Sequence, residues 1–185
     1  MTTISLYERY QKEIATTLGA SLGLKNKMEI PRVLKVCVNV GMGSYLQQGG
    51  GKDYSVVEEN LKKITGRKPL LRKARMSISN FKLREGMSVG MLVTLRGKAA
   101  YDFLDKVINI VFPRVQGFRG VKKNIFDAKG NCSFGFKECT VFPEIIPGEH
   151  RPHGVQITVV TSSDDSEHAY SLLKSVDFPF IPEKN

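Results

Sequence analysis

Residues 61–84 read LKKITGRKPLLRKARMSISNFKLR. Nine of them are basic (Lys62, Lys63, Arg67, Lys68, Arg72, Lys73, Arg75, Lys82 and Arg84) and none is acidic. A solvated helix face mixes signs, because opposite charges three or four residues apart support it. A run of one sign repels itself until an anion neutralises it. A polyphosphate partner is therefore expected, ahead of a bland basic surface or tail. Leu70, Leu71, Ile78, Phe81 and Leu83 interleave with the charges and predict a structured, partly buried element. Gly66, Pro69 and Gly86 punctuate it. The stretch reads as strand, long turn, strand: a basic β-ribbon projecting from a sheet.

Working outward, Ser55-x-x-Glu58 has the form of a capping box, and Tyr54, Val57, Leu61 and Ile64 make the apolar face of the helix behind it. Gly66 is placed to stop that helix. Beyond the ribbon, residues 89–97 read VGMLVTLRG. Val89, Met91, Val93 and Leu95 face one way, and Gly90, Leu92, Thr94 and Arg96 the other. Residues 33–40, VLKVCVNV, show the same asymmetry, with Leu34, Val36, Val38 and Val40 opposite Val33, Lys35, Cys37 and Asn39. Two such strands predict one sheet with a face covered by helices and a face left open, as antiparallel sheets allow. An open sheet face is a platform for RNA. Asn39 among valines is costly if buried and unpaired. It reads equally as the start of the turn at Gly41-Met42-Gly43.

The glycines after that strand bind no nucleotide by the usual patterns. The third glycine of G-x-G-x-x-G falls at Leu46, and Gly51-Lys52 is followed by Asp53 rather than Ser or Thr. Residues 4–22 carry helical spacing through Tyr7, Tyr10, Ile14, Leu18 and Leu22, and Pro31 suits a strand start. Residues 98–112 predict an apolar helix ended by Pro113. NCSFGFK (131–137), CTVFPEI (139–145) and VQITVVT (155–161) predict strands. Phe134 and Phe136 read as core rather than as base-stacking platforms. A last helix begins near Asp164 and buries Ala169, Leu172, Leu173 and Val176.

Net charge is +10, but from Glu144 onward seven acidic residues face three basic ones, so the first 143 residues carry +14. No apolar run has the length of a transmembrane helix, and the N-terminus lacks the pattern of a signal or transit peptide. The cytoplasm is the expected compartment. Cys37, Cys132 and Cys139 lack paired spacing and read as small buried thiols. His150, His153 and His168 read as structural or exposed: two ligands three apart on a loop beside Glu149 make a weak metal site with no third ligand. No G-x-S-x-G or H-E-x-x-H occurs.

The segments IPRVLKVCVNVGMG, TGRKPLLRKARMSISNFKLREG, VTLRG, FPRVQGFRG, FDAKGNCSFG, FPEI and DFPF occur in this order. The chain resembles, from about Leu6 to Phe180, the large-subunit ribosomal protein L-five family of 5S rRNA-binding proteins, in its bacterial form. The resemblance implies an α+β fold: an antiparallel sheet with helices on one face and a long basic ribbon between two strands. It implies a single domain over residues 1–185, with halves at about 26–82 and 86–180. It implies a structural role in the large subunit without enzymatic activity. No cofactor or metal is expected, and a membrane-surface role would need an amphipathic basic helix that the chain lacks. The implied partners are 5S rRNA at the central protuberance, large-subunit rRNA, the P-site tRNA and the small-subunit protein S-thirteen, and no homo-oligomer is implied.

Carried onto this chain, Asn39 and Thr94 match positions that hydrogen-bond 5S rRNA. Arg67 stands where the family usually has the Gln of a Gly-Gln-Lys-Pro turn. With Lys68 beside it, and Lys35 and Arg96 on the open face, these six form the expected rRNA-binding set. Arg72, Lys73, Arg75, Ser77, Ser79, Lys82 and Arg84 are the expected tRNA contacts. Ile145, Pro147, Glu149, His150, Arg151 and His153 are the expected intersubunit contacts. There, His153-Gly154-Val155-Gln156 replaces the frequent Arg-Gly-hydrophobic-Asp, and the segment Gln47–Lys52 is atypical in its three glycines. The competing reading, an RNA-processing enzyme or ribosome-maturation factor, needs a carboxylate cluster. The acidic residues are instead scattered.

Overall fold

Ser5 opens the first helix by accepting a hydrogen bond from the Glu8 N–H at 3.4 Å, which satisfies one of the donors a helix start leaves over. The computed structural model describes residues 5–24, 26–43, 54–81, 83–148 and 152–181. Helix α1 runs through Leu6–Arg9, a π-helical turn at Tyr10–Ile14, and Ala15–Ser21. It buries Leu6, Tyr10, Ile14 and Leu18. Helix α2 is Ser55–Thr65, and α3 runs through Lys98–Lys106, a π-helical turn at Val107–Val111, and Phe112–Arg114. Helix α4 is Ser166–Ser175, capped by the Asp165 carboxylate, which accepts from the Glu167 N–H at 3.0 Å. The strands are β1 Val33–Gly41, β2 Leu70–Lys73, β3 Ser88–Arg96, β4 Cys132–Phe136 and β5 Val155–Thr161. They form one five-stranded antiparallel sheet in the order β2-β3-β1-β5-β4, with helices packed around it, so the fold is α+β as expected. No helix among the described residues is long and apolar enough to cross a membrane.

Val36, Val38 and Val40 are fully buried. At about 1.5–3 kcal/mol for each buried side chain, they fix the register of β1. A one-residue slip would expose all three and bury Lys35 and Asn39 instead. At the start of the strand the alternation shifts: Val33 is buried and Leu34 is 43 % exposed, the reverse of the sequence expectation. Two tyrosines cause it. The Tyr10 hydroxyl donates to the Pro31 carbonyl at 2.7 Å, and the Val33 N–H donates to the Tyr101 hydroxyl at 3.1 Å. These bonds draw residues 31–33 inward, and burial holds both phenols above their ordinary pKa.

Chain proximity separates two compact units, each assembled from separated segments. The first comprises Met1–Val36, Leu95–Phe134 and Thr158–Asn185. In it α1 packs against α3 and α4, and Phe112, Phe134 and Phe178 form an aromatic cluster with ring centroids 5.3–5.4 Å apart. Phe134 is half-buried within this cluster rather than in the core, whereas Phe136 is buried. Pro113 lies inside the last turn of α3 rather than ending the helix before it. The π-helical turn ahead of it already departs from the regular hydrogen-bond ladder, so the missing N–H is tolerated there. The DFPF segment is held by the Val121 N–H to the Pro179 carbonyl (2.8 Å) and the Ile181 N–H to the Val121 carbonyl (3.0 Å). Gly120, at φ +102°, permits this: a Cβ there would lie 2.9 Å from the Ile181 nitrogen.

The FDAKGN turn of the same unit is organised by Asp127. Its carboxylate accepts from the Lys129 N–H (3.0 Å), the Asn131 N–H (2.7 Å) and the Asn131 side-chain amide (2.9 Å). These bonds, the Asn131 side chain foremost, favour the ionised form and hold its pKa below the ordinary carboxylate value. A depressed carboxylate stabilises the fold above its unfolded pKa of about 3.9 and loses that contribution as pH falls through the lower folded value. Asp127→Ala is therefore expected to lower the melting temperature by a constant amount above pH about 5, with the gap to the parent narrowing in more acid solution. Melting curves across that range check it, and a gap that widens in acid contradicts it.

The second unit comprises Cys37–Thr94 and Gly135–Ile157. Helix α2 buries Val57, Asn60, Leu61 and Ile64, and ends at Gly66 in the left-handed conformation. The expected capping box is not formed. Ser55 is already the first helical residue, and Glu58 pairs with Lys62 at 2.8 Å. Phe136 packs edge-on against the fully buried Phe142. Residues 139–145 are not the predicted strand: Cys139–Val141 is a 3₁₀ turn continued by turns to Ile145. Pro143 supplies no N–H to a ladder.

Candidate nucleic-acid interface

β2 pairs antiparallel with β3 through Leu70↔Leu92, Leu71↔Met91 and Arg72↔Gly90, and slips register before Lys73↔Ser88. The ribbon continues past that irregularity. The Ala74 N–H reaches the Met87 carbonyl (2.8 Å) and the Gly86 N–H the Ala74 carbonyl (3.0 Å). Ser77 Oγ accepts from the Glu85 N–H at 2.9 Å, and Ile78 and Leu83 exchange two backbone bonds of 3.0 and 3.1 Å. The turn between them is a 3₁₀ segment, Ser79–Phe81. Strand, long turn and strand are as read from the sequence. Arg72, Lys73, Arg75, Ser77, Ser79 and Arg84 are all exposed, and Lys82 lies outside the described residues. Most of the interleaved apolar side chains are not buried as expected. Leu70, Ile78 and Phe81 are 57 %, 40 % and 64 % exposed, while Leu71 and Leu83 are half-buried.

The ribbon's root is fixed by two close approaches. Gly90 packs on β1 so tightly that a Cβ would lie 2.8 Å from the Val40 carbonyl oxygen, and the Met42 N–H donates to the Val89 carbonyl at 2.9 Å. At the other end, the Arg67 N–H donates to Thr65 Oγ1, whose hydroxyl is within reach of the Leu61 carbonyl at 2.6 Å. This turn leaves the side chains of Arg67 and Lys68 exposed.

On the polar side of the paired strands β1 and β3, Cys37 Sγ and Thr94 Oγ1 stand 4.0 Å apart. Asn39, two residues along β1, is half-buried, as is Thr94. Among the described residues no hydrogen bond reaches the Asn39 side chain. A half-buried amide and hydroxyl with little internal bonding are available to an outside hydrogen-bonding partner. Lys35 and Arg96, counted with the first unit, are half-buried and exposed respectively.

In the C-terminal loop Ile145 and His153 are buried and Pro147 is exposed; Glu149, His150 and Arg151 lie outside the described residues. His153 Nδ1 lies 3.6 Å from Cys139 Sγ, and burial pushes that thiol above its ordinary pKa. This is a structural histidine, one of the two roles the sequence left open to it. All three cysteines are free. Cys132 is fully buried, its pKa pushed up to about 12 by that burial, whereas Cys37 is only half-buried. No group of three or more potential metal ligands occurs among the described residues.

Sequence reasoning missed the exposure of Leu70 and Phe81 on the ribbon and the packing role of Gly90. A signal for the latter was present: a lone glycine inside a strand pattern marks a close backbone approach.

Residues 26–84 match the family model described as "Ribosomal protein L5", and residues 88–180 match the model of the same ribosomal family's C-terminus. "Large ribosomal subunit protein uL5" of Fervidobacterium nodosum is 45% identical over 181 residues, covering 96% of both chains. The protein of that name from Halothermothrix orenii is 45% identical over 95% of this chain and 97% of its own. That of Chloroflexus aurantiacus is 41% identical over 96% and 98%. Two family models that together span most of the chain, and relatives aligned almost end to end, settle the matter: the chain belongs to the ribosomal protein L5 family, non-enzymatic structural constituents of the large ribosomal subunit.

Proposed function

We propose that this ribosomal constituent binds 5S rRNA through the open face of its sheet and attaches it to the large-subunit rRNA in the central protuberance. The observation that carries the reading is the placement of half-buried Asn39 and Thr94 on the polar side of β1 and β3, within a chain whose first 143 residues carry +14. Charge draws any RNA; hydrogen bonds from fixed side chains select a register on one. Arg67, Lys68, Lys35 and Arg96 neutralise phosphates of the bound RNA. The basic ribbon extends to the P-site tRNA and holds its backbone through Arg72, Lys73, Arg75, Lys82 and Arg84, with Ser77 and Ser79 as hydrogen-bonding partners at the tip. Co-migration of the full chain with 5S rRNA, against an unrelated RNA of similar length at the same salt, tests the first part. Equal retention of the two RNAs overturns it.

The C-terminal loop meets the small-subunit protein S-thirteen as an intersubunit bridge. Since Ile145 and His153 are buried, they support the loop, and the contact falls to Pro147, Glu149, His150 and Arg151. Deleting residues 147–151 is expected to leave 5S rRNA binding within about twofold, since no residue of the sheet face is lost, and to weaken subunit association. Sedimentation of reassociated subunits over a magnesium series reads this out. Loss of 5S rRNA binding by a variant that still melts cooperatively contradicts it.

A further inference from the structure

Besides its cations, the ribbon carries five exposed apolar side chains: Leu70 (57 %), Met76 (70 %), Ile78 (40 %), Phe81 (64 %) and Met87 (40 %). Five of the eleven large hydrophobic residues exposed in the described chain lie within these eighteen positions. Apolar side chains concentrated on one protruding element mark a contact surface. Their partner must also satisfy seven cations against one acid, Glu85, between Arg67 and Ser88. A polyanion that also offers flat apolar faces meets both demands, and unstacked RNA bases do so.

We infer that the ribbon tip binds RNA by stacking Phe81 on an unpaired base, with Met76 and Ile78 as its apolar surround, and not by phosphate contacts alone. The inference rests on the reading of the ribbon as an RNA-binding arm and adds the chemistry of its tip. The tip is built for this. Phe81 closes the 3₁₀ turn that the reciprocal Ile78–Leu83 bonds pin at 3.0 and 3.1 Å, and Ser77 Oγ fastens the Glu85 N–H below it. The aromatic ring is thus presented from a fixed turn and has only two side-chain torsions to order on binding. Exposed Arg75 and Arg84 flank the turn and supply the charge for the backbone on either side of the stacked base. Stacking is indifferent to base identity, since every base has a π-face, so this contact suits a partner whose sequence varies.

The test uses the full chain bound to 5S rRNA and two probes of equal length and charge: a single-stranded RNA carrying 2-aminopurine, and a continuous duplex. The expected result is quenching of 2-aminopurine on binding, with the single strand preferred. Phe81→Ala should weaken the single strand about 5- to 100-fold, with the salt slope unchanged. Phe81→Trp should restore both affinity and quenching. Arg72→Ala with Arg75→Ala should instead flatten the salt slope for both probes. If the arginine variant weakens binding and Phe81→Ala does not, stacking is overturned while the RNA-binding arm stands. If neither variant has an effect, the arm itself is overturned. Phe81-dependent binding to vesicles containing anionic phospholipid, without any Phe81 effect on RNA, also overturns the inference and assigns the tip to a membrane surface.

Discussion

Alanine at both Asn39 and Thr94 is expected to weaken 5S rRNA binding about 5- to 150-fold, the effect of leaving buried RNA groups unpaired at about 1–3 kcal/mol. Cys37 Sγ lies 4.0 Å from Thr94 Oγ1, and Asn39 stands two residues beyond Cys37 on β1, so the two effects need not add. The salt slope of binding should hardly move, because neither substitution removes a charge and counterion release is unaltered. Fold stability should also be nearly unchanged. Asn39 takes no hydrogen bond from the described residues, and the thiol contact of Thr94 is long for a hydrogen bond. Filter binding at four salt concentrations, with a melting curve of each variant, separates these effects. A large change of slope with little loss at fixed salt would falsify the division between register-setting and charge-neutralising residues. A large fall in melting temperature would show instead that the pair supports the sheet.

How far the sequence discloses this architecture depends on whether local pattern or distant partners decide a residue's place. The β1 and β3 faces are legible because three buried valines in alternation leave no competitive register. Leu34 and Val33 exchange places for a reason no local pattern contains: the tyrosines that draw the strand inward sit 23 residues before Val33 and 68 after it. Residues 139–145 look like a strand by composition, yet Pro143 and the burial of Phe142 in a turn decide otherwise. Glu58 has the position for a capping box, but Lys62 one turn on competes for its carboxylate and wins. In the candidate site, the cations of residues 61–84 and the polar side of β1 and β3 can be read directly, since charge and alternation are local, whereas the roles of Asn39 and Thr94 come from the resemblance. The exposure of Phe81 and Leu70 cannot be read directly. Apolar residues predict burial only where an element covers them, and both stay exposed, Leu70 on the edge strand β2 and Phe81 in the turn beyond the paired strands. His153 is likewise buried beside a distant partner, Cys139, 14 residues away and 3.6 Å from its Nδ1.

Replacing Lys73 and Arg75 by alanine tests the separation between sheet face and ribbon. Both side chains are exposed, and neither has an ion-pair or hydrogen-bond partner among the described residues. The fold should therefore be indifferent to their loss, and 5S rRNA should assemble into the subunit as before. Binding of P-site tRNA should weaken, because each lost phosphate contact removes one released counterion. Two contacts reduce the slope of log affinity against log salt by about 1.4–1.8, so the parent's advantage is largest at low salt and shrinks as salt rises. Phosphate contacts do not read sequence. Two unrelated tRNAs should accordingly lose affinity by the same factor on ribosomes carrying the double variant. Filter binding over a salt series measures both quantities. Loss confined to one tRNA would mean that these side chains read bases, and failure of 5S rRNA to assemble would mean that the ribbon belongs to the 5S rRNA interface. The Phe81 contact sharpens the comparison: its removal should shift affinity at every salt concentration alike, whereas the Lys73 and Arg75 deficit shrinks as salt screens the charges it depends on.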